Sequence, residues 1–107
     1  MITDKDPKYT IRFEKQFSKV FTKNFKNDKA LTKALEKAIS NLRIDPFYTS
    51  LRTHKVDVID EKEVFSSRVT GDWRLILNFD QDNNMIIICL KIGTYGGGNK
   101  VYLKKSN

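Results

Sequence analysis

Apolar and polar side chains alternate over residues 9–13, Tyr-Thr-Ile-Arg-Phe, which is the period-two pattern of a half-buried strand. The period then changes. Phe17, Val20, Phe21 and Phe25 recur at helical spacing with Lys19, Lys23 and Lys26 on other faces, so an amphipathic helix is predicted. Asn27-Asp28 breaks it and offers an N-cap to a second helix, along which Leu31, Leu35, Ala38, Ile39 and Leu42 form an apolar stripe. Asp45-Pro46 ends that helix, because the residue before a proline is pushed out of the α region. After it, β-branched and aromatic residues dominate. Strands are predicted over 51–58, 64–69, Trp73–Phe79 and 85–92, with Thr70-Gly71-Asp72 and Asp82-Asn83-Asn84 as turns. Residues 85–92 are apolar on both faces, which predicts the central strand. Gly96-Gly97-Gly98 breaks the chain before a tail, 99–103, that is expected to add a short strand or helical turn.

Helices early and strands late make an α+β fold. The N-terminal strand and a helical hairpin pack on one face of a mainly antiparallel sheet of about four or five strands, which leaves the other face for function. No repeat or linker divides the sequence, and 107 residues are enough for one hydrophobic core, so 1–107 reads as a single domain.

Charge changes the picture more than composition does. A net charge of +7 raises the local concentration of polyanions, so nucleic acid or an acidic protein is the expected partner. Cys89 has no second cysteine to pair with, which excludes an intramolecular disulfide and fits a reducing cytoplasm. Within Met-Ile-Ile-Ile-Cys-Leu it reads as a small buried hydrophobe. No His, Cys or carboxylate spacing suggests a metal site. The opening residues lack the apolar core of a signal peptide, and the longest apolar run is far short of the ~20 residues a membrane span needs.

The candidate chemistry lies in the strands. Arg68 and Arg74 are isolated cations among apolar strand residues, a setting that suits a bound phosphate. Arg68 alternates with Phe65, Ser67 and Val69 and so projects from the other side, with Ser66 and Thr70; a tight turn would bring Arg74 within reach of the same ligand. His54, the only histidine, is flanked by Arg52-Thr53 and Lys55. It is either a proton acceptor or a strand-edge residue with a structural hydrogen bond. Tyr95 and Tyr102 bracket the glycines and are either stacking or proton-exchanging phenols or packing residues. Trp73 reads as core and Asp72 as a turn former.

Taken together, Leu51-Arg52-Thr53-His54-Lys55, Ser67-Arg68-Val69, Asp72-Trp73-Arg74-Leu75-Ile76 and Ile92-Gly93-Thr94-Tyr95 resemble the RelE/ParE toxin superfamily of bacterial toxin–antitoxin systems, over nearly the whole chain. The histidine stretch and Asp-Trp-Arg-Leu-Ile are most similar to the YafQ-type messenger-RNA interferases. The resemblance implies a ribonuclease that acts on messenger RNA in the ribosomal A site, needs no metal or small-molecule cofactor, and is blocked by a cognate antitoxin with an acidic segment.

Carried over residue by residue, the resemblance implies that Arg68 holds the scissile phosphate, His54 is the general base and Tyr95 completes the catalytic group. Lys55 would clamp phosphate beside the pocket, and Arg74 matches an arginine whose role in the family is as often structural as substrate-binding; Arg52, Arg74 and Tyr102 are read as further RNA contacts. One departure stands out, since Ile92-Gly93-Thr94-Tyr95 lacks the histidine that YafQ-type enzymes carry there. Two other readings stay open: a ParE-like inhibitor of DNA gyrase, which shares the fold without the nuclease site, and a module that binds RNA without cutting it.

Overall fold

The computed structural model describes residues 6–94. Strand β1 (Thr10–Phe13) leads into helix α1 (Lys15–Val20), which continues as a π-wound turn over Phe21–Phe25. Helix α2 (Lys29–Ile44) runs back along it. A short 3-10 turn, Thr49–Leu51, precedes strands β2 (His54–Ile59), β3 (Lys62–Arg68), β4 (Trp73–Phe79) and β5 (Ile86–Thr94). The glycine break, the tail over 99–103, Tyr95 and Tyr102 lie outside the described residues.

Three phenylalanines line the π turn and the helix before it. Phe17, Phe21 and Phe25 are four residues apart, and at 3.6 residues per turn each ring would drift about 40° past the last. Winding with i→i+5 bonds, as where the Lys26 N–H donates to the Phe21 carbonyl at 3.0 Å, turns less per residue and brings the rings back into line. Phe17 and Phe21 lie 6.5 Å apart and Phe21 and Phe25 6.0 Å, with both pairs stacked. The amphipathic helix expected here is therefore α-helical only in its first half.

Local signals set both ends of α2. The Asp28 carboxylate accepts from the Leu31 N–H at 3.0 Å, and Asp45 is extended (φ −158°, ψ 106°), as the following Pro46 requires. Leu35, Ala38 and Leu42 on its buried side meet Leu75, Leu77, Ile87, Cys89 and Ile92 of the sheet. Trp73 closes this core against Phe25, edge to face, at 4.7 Å.

The sheet order is β1-β5-β4-β3-β2, and every neighbouring pair is antiparallel except β1 with β5. This corrects two expectations. The middle strand is β4; β5 stands beside it with β1 on its outer edge, so it too is an interior strand, and its two faces meet the helix-side core and the smaller opposite cluster. The first predicted strand begins only at His54. Leu51 is buried in the helix-side core, and Arg52 adopts a left-handed conformation (φ 49°) that carries the chain from the core to the sheet edge. The helices cover one face of the sheet. On the opposite face Val64 and Ile76, flanked by Val56 and Leu90, form a second, smaller cluster. Among the described residues no helix is long and apolar enough to cross a membrane.

Candidate functional site

Register assembles the site, because residues paired across neighbouring strands point to the same face. His54 pairs with Ser66, Ser66 with Ile76, and Ile76 with Lys91, which makes one row across the face away from the helices. In the next row Arg68 pairs with Arg74, and Arg74 with Gly93. His54 and Arg68 are therefore diagonal neighbours on adjacent strands, a relation that separates two residues by about 7–8 Å.

Arg52 and Thr53 hold His54 in place. The ring Nδ1 lies 2.9 Å from the Arg52 carbonyl. A carbonyl can only accept, so Nδ1 donates, and in the neutral ring that leaves the lone pair on Nε2. The left-handed Arg52 thus contributes its carbonyl to the site. Thr53 donates its hydroxyl to the Pro46 carbonyl at 2.6 Å and lies 2.6 Å from the Ser67 hydroxyl. With its single proton given to Pro46, Thr53 accepts from Ser67, which ties the segment before His54 to both the end of α2 and β3.

The two arginines have different surroundings. Arg74 Nη1 donates to the carbonyls of Thr70 at 2.6 Å, Gly71 at 3.0 Å and Trp73 at 3.2 Å, so its guanidinium closes the β3–β4 turn. Arg68 is exposed and meets no carboxylate among the described residues. Its Nη2 lies 4.0 Å from where a Cβ on Gly71 would sit, and the residue also borders a small pocket under α2. It therefore stands at the rim between the sheet face and the helical layer. Thr70, expected to offer its hydroxyl beside Arg68, uses that oxygen to accept from the Asp72 and Trp73 N–H groups at 3.2 and 3.1 Å.

Lys55 is not brought to this group. It pairs with Phe65, so it faces the opposite way from His54, and its ammonium lies 3.5 Å from Glu63. Sequence reasoning overlooked Lys91, an isolated cation in an otherwise apolar strand that shares the His54 row. Burial pushes its ammonium below the usual lysine range. A lysine between Leu90 and Ile92 was the available signal. Among the described residues no three His, Cys, Asp or Glu side chains gather as a metal site.

The arrangement sets a fixed cation and a proton-accepting imidazole nitrogen on neighbouring strands, open to solvent. Such a pair can neutralise an anion and take a proton from a group attached to it.

No protein-family model matches the sequence, and no curated protein matches it. Solved structures do match. The chain is similar to archaeal RelE from Pyrococcus horikoshii, solved with RelB, at 20% identity and a TM-score of 0.65, covering 85% of this chain and 99% of that one. It is similar to YafQ from E. coli at 24% identity and TM-score 0.52, over 80% of this chain and 92% of that one. A YoeB dimer from Staphylococcus aureus aligns at 18% identity and TM-score 0.59, over 90% and 99% of the two chains. The architecture is that of the RelE-like toxins. Two helices on one side of a five-stranded, mainly antiparallel sheet are the fold expected from the sequence.

Proposed function

We propose that this chain is the toxin of a type II toxin–antitoxin system, an endoribonuclease that cuts messenger RNA on the ribosome without a metal, acts in the cytoplasm and is held in check by an acidic cognate antitoxin. The observation that carries the reading is the diagonal placement of His54 and Arg68, both exposed, on adjacent strands of one sheet face, with the Arg52 carbonyl beside the histidine Nδ1. The fold supports it, and among the structures that share the fold are complexes with the antitoxins RelB, DinJ and YefM.

In this reading the ribose 2′-oxygen attacks its own 3′-phosphate, forming a new P–O bond as the bond to the 5′-oxygen breaks. His54 Nε2 takes the 2′ proton, and the leaving 5′-oxygen receives one from Tyr95, since a phenol at neutral pH is a donor rather than a base. The products are a 2′,3′-cyclic phosphate and a 5′-hydroxyl. Arg68 supplies the positive charge that the phosphorane needs as negative charge builds. Arg74 acts by fixing the turn beside Arg68, and Lys91 adds a cation along the same face.

Primer extension on messenger RNA after brief induction tests the reading. The parent should give discrete cuts between codon positions. His54→Ala should abolish them, and Arg68→Ala should slow them on the order of 10²–10³-fold with an unchanged melting temperature. Undiminished cutting by both variants, or a DNA-damage response with no cutting by the parent, would overturn it.

A further inference from the structure

The positive charge of this chain is not spread evenly. Between Lys15 and Ile44 eight cations stand against two acids, whereas between His54 and Thr94 five cations stand against seven acids. An RNA strand held at Arg68, on the rim between the two layers, is therefore drawn towards α2 rather than back across the sheet.

There it meets the hollow beneath α2 that Arg68 borders, about 180 Å³ in volume, the space of roughly six waters. Ala38, Leu51 and Val69 give this hollow an apolar floor. Lys37 and Asn41, one turn apart on α2, stand around it with Arg68 and with Ser50 of the 3-10 turn. None of these four side chains makes a hydrogen bond or ion pair among the described residues. Unmet donors and acceptors around a patch of aliphatic surface suit a flat, polar-edged ligand. An inorganic anion would satisfy Lys37 and Arg68 but leave the floor uncovered and the Asn41 carbonyl oxygen, which only accepts, without a partner. A nucleobase meets both needs, because its ring covers the floor and its edge presents a donor beside an acceptor, the match of a primary amide. The groove of about 280 Å³ on the other flank of α2, between it and α1, is apolar and has no cation among its described lining residues, so it offers a phosphate nothing.

We propose that the hollow takes the base of a nucleotide flanking the scissile phosphate, with Asn41 reading its edge and Lys37 and Ser50 holding the sugar and the next phosphate at its mouth. The inference rests on the endoribonuclease reading and deepens it. Arg68 serves the cut, the hollow decides which base stands beside it, and Asn41 is a specificity-determining residue of a reaction that it does not catalyse.

Two measurements test this, one of them independent of cutting. The first is an NMR titration of the isotope-labelled full chain with the four nucleoside 3′-monophosphates and with ribose 5-phosphate. One nucleotide should bind about tenfold more tightly than ribose 5-phosphate, as a matched base edge implies, and should shift amides over 34–41, 50–51 and 68–69. Asn41→Ala should bring that nucleotide to the level of the other three, while Lys37→Ala should weaken all four alike. Lys33→Ala, which removes a charge from the same helix outside the hollow, should change neither. The second is primer extension, in which the parent should show the same base beside its cuts and Asn41→Ala a several-fold weaker preference. Ribose 5-phosphate binding as tightly as any nucleotide, shifts confined to other amides, or an unchanged ranking in Asn41→Ala would overturn the proposal whether or not the chain cuts RNA. A parent that ranks nucleotides in the hollow yet cuts no message would uphold the nucleotide pocket and sink the nuclease reading. Cuts whose flanking base is unaffected by Asn41→Ala would spare that reading and sink the pocket.

Discussion

Arg74 commits its guanidinium to three carbonyls of the turn that it helps to close, and that is a different task from holding a ligand. Lysine has no fork with which to reproduce those bonds. Arg74→Lys should therefore lower stability by about 1–3 kcal/mol in urea unfolding, in proportion to the carbonyls left unsatisfied. Cys89 gives a pH prediction. Burial pushes its thiol from an ordinary 9.0 up to about 12, so on raising the pH the unfolded chain loses this proton before the folded one does. The contribution is fully present below pH 9 and is lost between there and about 12, at a slope of up to about 1.4 kcal/mol per pH unit. Urea melts from pH 8 upward should show that slope in the parent, and Cys89→Ala should remove it. At this level the sequence was half legible. Trp73, Asp72 and Cys89 stand in the roles their neighbours suggested, but Lys55, carried to the pocket by the family resemblance, faces away from His54, because strand alternation sends adjacent residues to opposite faces.

Elements whose signals are local were readable to the residue. Asp28 caps α2 and the Asp45-Pro46 step stops it, and both effects act within one turn of helix. Asp28→Ala should cost about 1 kcal/mol in thermal melts, and Asp28→Asn, which keeps an acceptor, far less. The π turn was not legible, since phenylalanines four residues apart share one face of an ordinary α-helix just as well. The place of β1 was not legible. Its parallel pairing with β5 joins opposite ends of the described chain, and nothing in residues 9–13 names that partner. β5 was taken for the middle of the sheet because it is apolar on both faces, a property that marks a well-covered strand without giving its place in the order.

Across the molecule the two layers differ in what they offer. The helical layer carries the positive field and an apolar groove; the opposite sheet face carries one imidazole, the rim arginine and a half-buried lysine. Summed over the chain, the net charge of +7 concealed this division, which becomes visible once each cation is assigned to its element. The central claim is that the sheet face cuts RNA through the ribose 2′-oxygen, and the chemistry of the cut ends tests it most directly. Messenger RNA cleaved by the purified chain on translating ribosomes should bear 2′,3′-cyclic phosphate and 5′-hydroxyl ends, with His54→Ala giving none at equal protein concentration. Ends bearing 3′-hydroxyl and 5′-phosphate, or undiminished cutting by His54→Ala, would contradict the account.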